Sequence, residues 1–123
     1  MPVGKQERGR ILIVEDEPLI ALELEEFLIN AGFKIAAIAG KLEKALALIE
    51  SGSCDAAIVD ANLAGVSASP LASALTARGM PFIVLSGYSS EQLEGAFPGA
   101  LLLQKPCRPA QVIQALHTIV PKQ

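Results

Sequence analysis

Ile11-Leu12-Ile13-Val14-Glu15-Asp16-Glu17-Pro18 sets an unbroken apolar run against an acidic cluster and a proline. Four consecutive branched apolar residues suit a strand buried on both faces. Pro18 suits the first turn of a helix, where its missing N–H is no loss. The strand therefore ends at Val14, before the acidic cluster, and a helix follows. Leu19, Leu22 and Phe27 give it helical spacing to about Asn30, and Ala31-Gly32 supplies the stop.

Outward from this segment the same unit recurs. Lys34–Ala39 reads as the second strand, broken by Gly40, and Leu42, Ala45, Leu46 and Ile49 as a helix closed by Ser51-Gly52-Ser53. The third strand, Ala56–Val59, ends at Asp60. A loop runs through Gly65, then a helix from about Pro70 to Ala77, stopped by Gly79. Pro81–Leu85 is the fourth strand, and only a short helix fits in Ser90–Phe97 before Pro98-Gly99. Leu101–Leu103 is the fifth strand. The last helix runs from near Arg108-Pro109 to about Ile119. Alternating short apolar strands and amphipathic helices predict a parallel sheet covered on both faces. The expectation is a three-layer αβα domain over residues 1–123, with an ordered core of about 10–120 and no room for a second domain.

Composition narrows the function classes. Hydrophobic residues make up 51% and mean hydropathy is +0.44, so the chain has enough apolar material for a core. Aromatics are 4% and tryptophan is absent, which makes that core aliphatic. Net charge is −3, and beyond Lys5, Arg8 and Arg10 the basic residues are scattered. No nucleic-acid footprint is expected from that pattern. The two cysteines, Cys54 and Cys107, form no metal-binding spacing and read as free thiols of a reducing compartment. Residues 1–10 hold no apolar segment of the signal-peptide kind, and no apolar stretch reaches membrane-spanning length. A cytoplasmic protein without membrane contact is the expectation.

The chemistry lies at the ends of the apolar runs. Glu15 and Asp16 follow the first strand, Asp60 the third, Ser86 the fourth and Lys105 the fifth. Ligands of open α/β sheets bind beyond the carboxyl ends of the strands, at a topological switch point. An order 2-1-3-4-5 puts strands one and three there. Three carboxylates in one pocket repel each other unless a cation joins them. Mg2+ suits oxygen donors with few carboxylates and several waters. Asp16 and Asp60 are the direct ligands in this reading, Glu15 acts through water, and the backbone carbonyl of Asn62 is a candidate third protein ligand. A carboxylate so placed beside a lysine can attack a phosphoryl group. Lys105 would neutralise the oxygens of the transferred group, and Ser86 would donate a hydrogen bond to one of them. Gly87 leaves space beside it.

This ordered set resembles the receiver domain of two-component response regulators over residues 10–120. The stretch Gly79–Tyr88, with Asp60-Ala61-Asn62-Leu63 and Gly65, resembles the stand-alone alphaproteobacterial subfamily carrying a Phe-Ala-Thr-Gly-Tyr-like motif. The resemblance implies a flavodoxin-like fold with a five-stranded parallel sheet of order 2-1-3-4-5. It implies a signalling switch with Asp60 as phosphoacceptor, Ser86 and Lys105 assisting, and Mg2+ as cofactor. A histidine kinase or histidine phosphotransfer protein would be the donor. A further protein would read the state, with no output domain in the chain and the protein a monomer or weak dimer. It would be a phosphoprotein with slow autodephosphorylation rather than an enzyme with ordinary turnover. Departures bear on the readout. Glu15 stands where Asp is commoner and Ser86 where Thr is frequent. Ala64 replaces a usual proline. Leu102 occupies the place of the fifth-strand aromatic that commonly relays phosphorylation, and Tyr88 is a candidate substitute.

Plainer readings exist for each residue. Asp60 alone could cap the next helix, Glu15 and Asp16 could complement a helix dipole, Lys105 could be a surface lysine and Ser86 a turn residue. Tyr88 could pack or stand in solvent, Asn62 could form a turn, and His117 reads as a helix-face residue. Whole-chain alternatives are a degenerate receiver acting as a scaffold and a small phosphatase with an aspartyl-phosphate intermediate. The phosphatase class wants a second carboxylate two residues past the nucleophile, where Asn62 stands.

Overall fold

A computed structural model of the chain describes residues 9–88 and 95–120. Among the described residues seven strands and four helices follow in order: β1 Arg10–Val14, α1 Pro18–Asn30, β2 Lys34–Ala39, α2 Leu42–Ser51, β3 Ala56–Asp60, β4 Asn62–Leu63, β5 Val66–Ser67, α3 Ser69–Ala77, β6 Phe82–Ser86, β7 Leu101–Gln104 and α4 Pro109–Ile119. Five of the strands form one parallel sheet in the order β2-β1-β3-β6-β7. This is the flavodoxin-like order expected from the sequence. The short helix expected in Ser90–Phe97 falls largely outside the described residues.

Strand alternation separates the core into two halves. Leu12, Val14, Ala57, Val59 and Val84 face one side, with Ala45 and Ile49 of α2 and Leu71 and Leu75 of α3. Ile11, Ile13, Ile58, Ile83 and Leu85 face the other, with Leu24 and Leu28 of α1 and Val112 and Leu116 of α4. Both faces of the three inner strands are therefore dry, as their unbroken apolar runs require.

Helix α1 has the extent expected, and its packing selects the face that is buried. Its buried face is Ala21, Leu24 and Leu28, while Leu19 and Leu22 are 81% and 55% exposed and Phe27 is also exposed. The helix is apolar on more than one side, so periodicity alone did not select the face that packs. His117 lies exposed on α4, as expected of a helix-face residue, and stacks on Phe33 with ring centroids 5.7 Å apart. Both cysteines are free. Among the described residues no helix is long and apolar enough to cross a membrane.

The segment after Asp60 is more than the loop expected. Strands β4 and β5 pair antiparallel, Asn62 with Ser67 and Leu63 with Val66. The two residues between them, Ala64 and Gly65, have φ of 52° and 91°. Positive φ at both central positions is what a two-residue turn matched to strand twist demands. The hairpin then delivers the chain to α3, with the Ala68 N–H donating to the Ala61 carbonyl at 2.9 Å.

Candidate functional site

Parallel strands bring their carboxyl ends to one edge, and the functional side chains meet there. Glu15 and Asp16 follow β1, Asp60 closes β3, Ser86 closes β6 and Lys105 follows β7. Carboxylate oxygens of Glu15, Asp16 and Asp60 all lie within 4.8 Å of one another. Backbone bonds fix the frame. The Glu15 N–H donates to the Ala39 carbonyl at 3.0 Å, Ala61 N–H to Leu85 carbonyl at 2.8 Å, and Lys105 N–H to Ser86 carbonyl at 2.6 Å.

Glu15 is 3% exposed. Its Oε2 accepts the Glu17 N–H at 3.1 Å, whereas its buried Oε1 has no hydrogen-bond partner. Burial pushes the carboxyl up to about 7, and the charges of Asp60 and Asp16 push the same way. The Glu17 N–H and Lys105 pull against them. An unpaired oxygen in a dry acidic pocket is costly unless a partner satisfies it. Water or a hard cation can do so, and the all-oxygen donor set fits Mg2+.

Asp60 is 8% exposed and has a partner on each oxygen. Its Oδ1 accepts the Asn62 N–H at 3.2 Å, and its Oδ2 accepts from Lys105 Nζ at 3.0 Å. Burial disfavours the charged lysine, but the hydrogen bond and charge of Asp60, with Glu15 and Glu17, outweigh it and hold the ammonium above its ordinary range. Ser86 is buried, and its Oγ accepts the Tyr88 N–H at 3.0 Å. Tyr88 itself is 61% exposed.

A cavity of about 200 Å3 opens on Asp60 and is lined by Asn62, Ser67, Ser86, Gly87, Tyr88 and Phe97, among others. A Cβ built on Gly87 would touch no protein atom, so the space beside Ser86 is open, as the glycine suggested. Asn62 sits on the hairpin, where its Oδ1 accepts the Gly65 N–H at 2.7 Å. The side chain thus holds the turn. Ser67 lines the cavity but has no place in the reading of the sequence. The signal for it was the Ala64-Gly65 turn, which folds the chain back so that the residue five beyond Asn62 stands opposite it.

Residues 11–117 match the response regulator receiver domain family. The chain belongs to that family. This receiver is similar to the transcriptional regulatory protein PdtaR of Mycobacterium tuberculosis (strain H37Rv), 31% identical over 115 residues that cover 90% of this chain and 56% of PdtaR. The chain thus spans about half the length of the curated relatives it matches. It is similar to SdrG of Sphingomonas melonis Fr1, at 41% identity and a TM-score of 0.75, covering 89% of this chain and 94% of SdrG. It is also similar to the response regulator PhyR of Brucella abortus, at 30% identity and a TM-score of 0.77, covering 94% of this chain and 49% of PhyR.

In this receiver the fifth-strand position expected to carry an aromatic is Leu102 on β7. It pairs with Val84, is half-buried and packs on the α2–α3 side of the sheet. Gln104, at the end of β7, stands opposite Ser86.

Proposed function

We propose that the chain is a phosphoacceptor switch in which Asp60 takes a phosphoryl group from a phosphohistidine. The contact that carries this reading is Lys105 Nζ at 3.0 Å from Asp60 Oδ2, inside a pocket that also holds Glu15 and Asp16. In the transfer an Asp60 oxygen bonds to phosphorus as the phosphorus–nitrogen bond of the donor breaks, and the electron pair stays on the imidazole. Lys105 faces the charge that develops, and the Ser86 hydroxyl lies in the same cavity to receive a phosphoryl oxygen. Asp16 and Asp60, with Glu15 through water and the Asn62 carbonyl, would hold Mg2+. The ion, when bound, supplies charge neutralisation at the phosphoryl oxygens.

The donor is a histidine kinase or a histidine phosphotransfer protein, and the reader of the phosphorylated state is another protein. The switch works in the cytoplasm, monomeric or weakly dimeric. It hydrolyses its own acyl phosphate slowly and is otherwise not an enzyme. Phosphorylation adds about −1.5 to −2 charge beside Ser86. The Ser86–Tyr88 hydrogen bond couples that site to an exposed aromatic, a route that does not need an aromatic at Leu102.

Phosphoramidate, which carries a phosphorus–nitrogen bond, tests the assignment when given with Mg2+. Borohydride reduction of the product and peptide mapping should find the reduced residue at position 60. Trapping at another residue, or none at all, would contradict the reading, and the latter would favour a scaffold role.

A further inference from the structure

We infer that Ser67 positions the water that removes the phosphoryl group, so that the β4–β5 hairpin sets how long the signal lasts. The inference rests on the phosphoacceptor reading of Asp60. Ser67 lines the same cavity as Asp60, Ser86 and Tyr88. It arrives there because the positive-φ pair Ala64-Gly65 reverses the chain and sets Ser67 opposite Asn62. Directly opposed residues of an antiparallel pair share a face.

Each residue already accepts one backbone N–H and keeps further hydrogen-bonding capacity. The amide oxygen of Asn62 is engaged by the Gly65 N–H at 2.7 Å. The Ser67 Oγ accepts the Ser69 N–H at 3.2 Å. A hydroxyl has one proton and two lone pairs, so Ser67 keeps a donor and one further acceptor site. One water can thus be held by the free lone pair, while the proton remains for a phosphoryl oxygen. Ser86 is in the same bonding state, accepting the Tyr88 N–H, but is 3% exposed at the inner wall. Ser67 is exposed to solvent. In the step itself the water oxygen bonds to phosphorus as the bond to the Asp60 oxygen breaks. The electron pair returns to the carboxylate, inorganic phosphate leaves, and the surplus proton passes to solvent.

The test loads the protein with phosphoramidate and Mg2+, removes the donor by rapid desalting and follows decay by intact mass. Ser67→Ala should still take the label on Asp60, and its phosphoaspartate should live about tenfold longer, the weight of one hydrogen bond. Ser67→Thr, which keeps the hydroxyl, should decay at the wild-type rate. Decay of Ser67→Ala at the wild-type rate would overturn the inference. So would slow decay of Ser67→Thr, which would mark the effect as a disturbed hairpin. A wild-type protein that takes no label would instead overturn the phosphoacceptor reading, and this inference with it.

Discussion

Glu15 is the side chain least at ease in the metal-free pocket, because burial raises its carboxyl from an ordinary 4.5 to about 7. For an acid with a raised folded value, the favourable contribution is complete below the unfolded value. It is lost as pH climbs through the folded one. The metal-free protein should therefore lose stability at Glu15 between pH 4.5 and about 7. Glu15→Gln should melt above wild type in chelator at the upper end of that window and close to it at the lower end. Mg2+ should narrow the gap by stabilising wild type more. Thermal unfolding of both proteins across the window, with and without metal, checks this, and a gap that ignores pH would contradict it. The carboxylates and Lys105 were legible in the sequence because each ends an apolar run that a parallel sheet must bury. The orphaned Glu15 Oε1 was not, since only packing decides which of two adjacent acids turns inward: Glu15 is buried while Asp16 is partly exposed.

At the scale of elements, the β4–β5 hairpin was the feature least visible beforehand. Two-residue pairing strands carry almost no periodic signal, and Ala64 is not a usual residue for a φ of 52°. A non-glycine residue there bears about 1 kcal/mol of steric cost. Ala64→Asn should relieve part of it and raise the melting temperature by about 2 °C. Ala64→Val, β-branched at a positive φ, should lower it. Equal melting temperatures for wild type and both variants would argue against the turn geometry. By contrast, the five long strands were legible almost to the residue, because runs such as Ala56–Val59 have one stable placement between two helical layers. Helix α1 was legible in extent but not in facing. Leu19, Leu22 and Phe27 have the spacing of a core stripe, yet the sheet takes Ala21, Leu24 and Leu28.

For the whole molecule, switching requires a local charge to alter an exposed surface. Tyr88 is the single tyrosine and the chain has no tryptophan, so tyrosine emission reports that position alone. Its backbone N–H is bound to Ser86 Oγ at 3.0 Å while 61% of its surface is exposed. Phosphorylation should draw the Ser86 hydroxyl toward phosphate and change both the emission of Tyr88 and its quenching by acrylamide. Unchanged quenching at full phosphorylation would place the readout elsewhere. The most direct measurement of the central claim is the intact mass of wild type and Asp60→Asn after incubation with acetyl phosphate and Mg2+. Wild type should gain the mass of one phosphoryl group, lose it again on standing, and gain none in chelator, while Asp60→Asn gains none under any condition. An Asp60→Asn protein that takes up the group as wild type does, or a wild type that never does, would contradict the account.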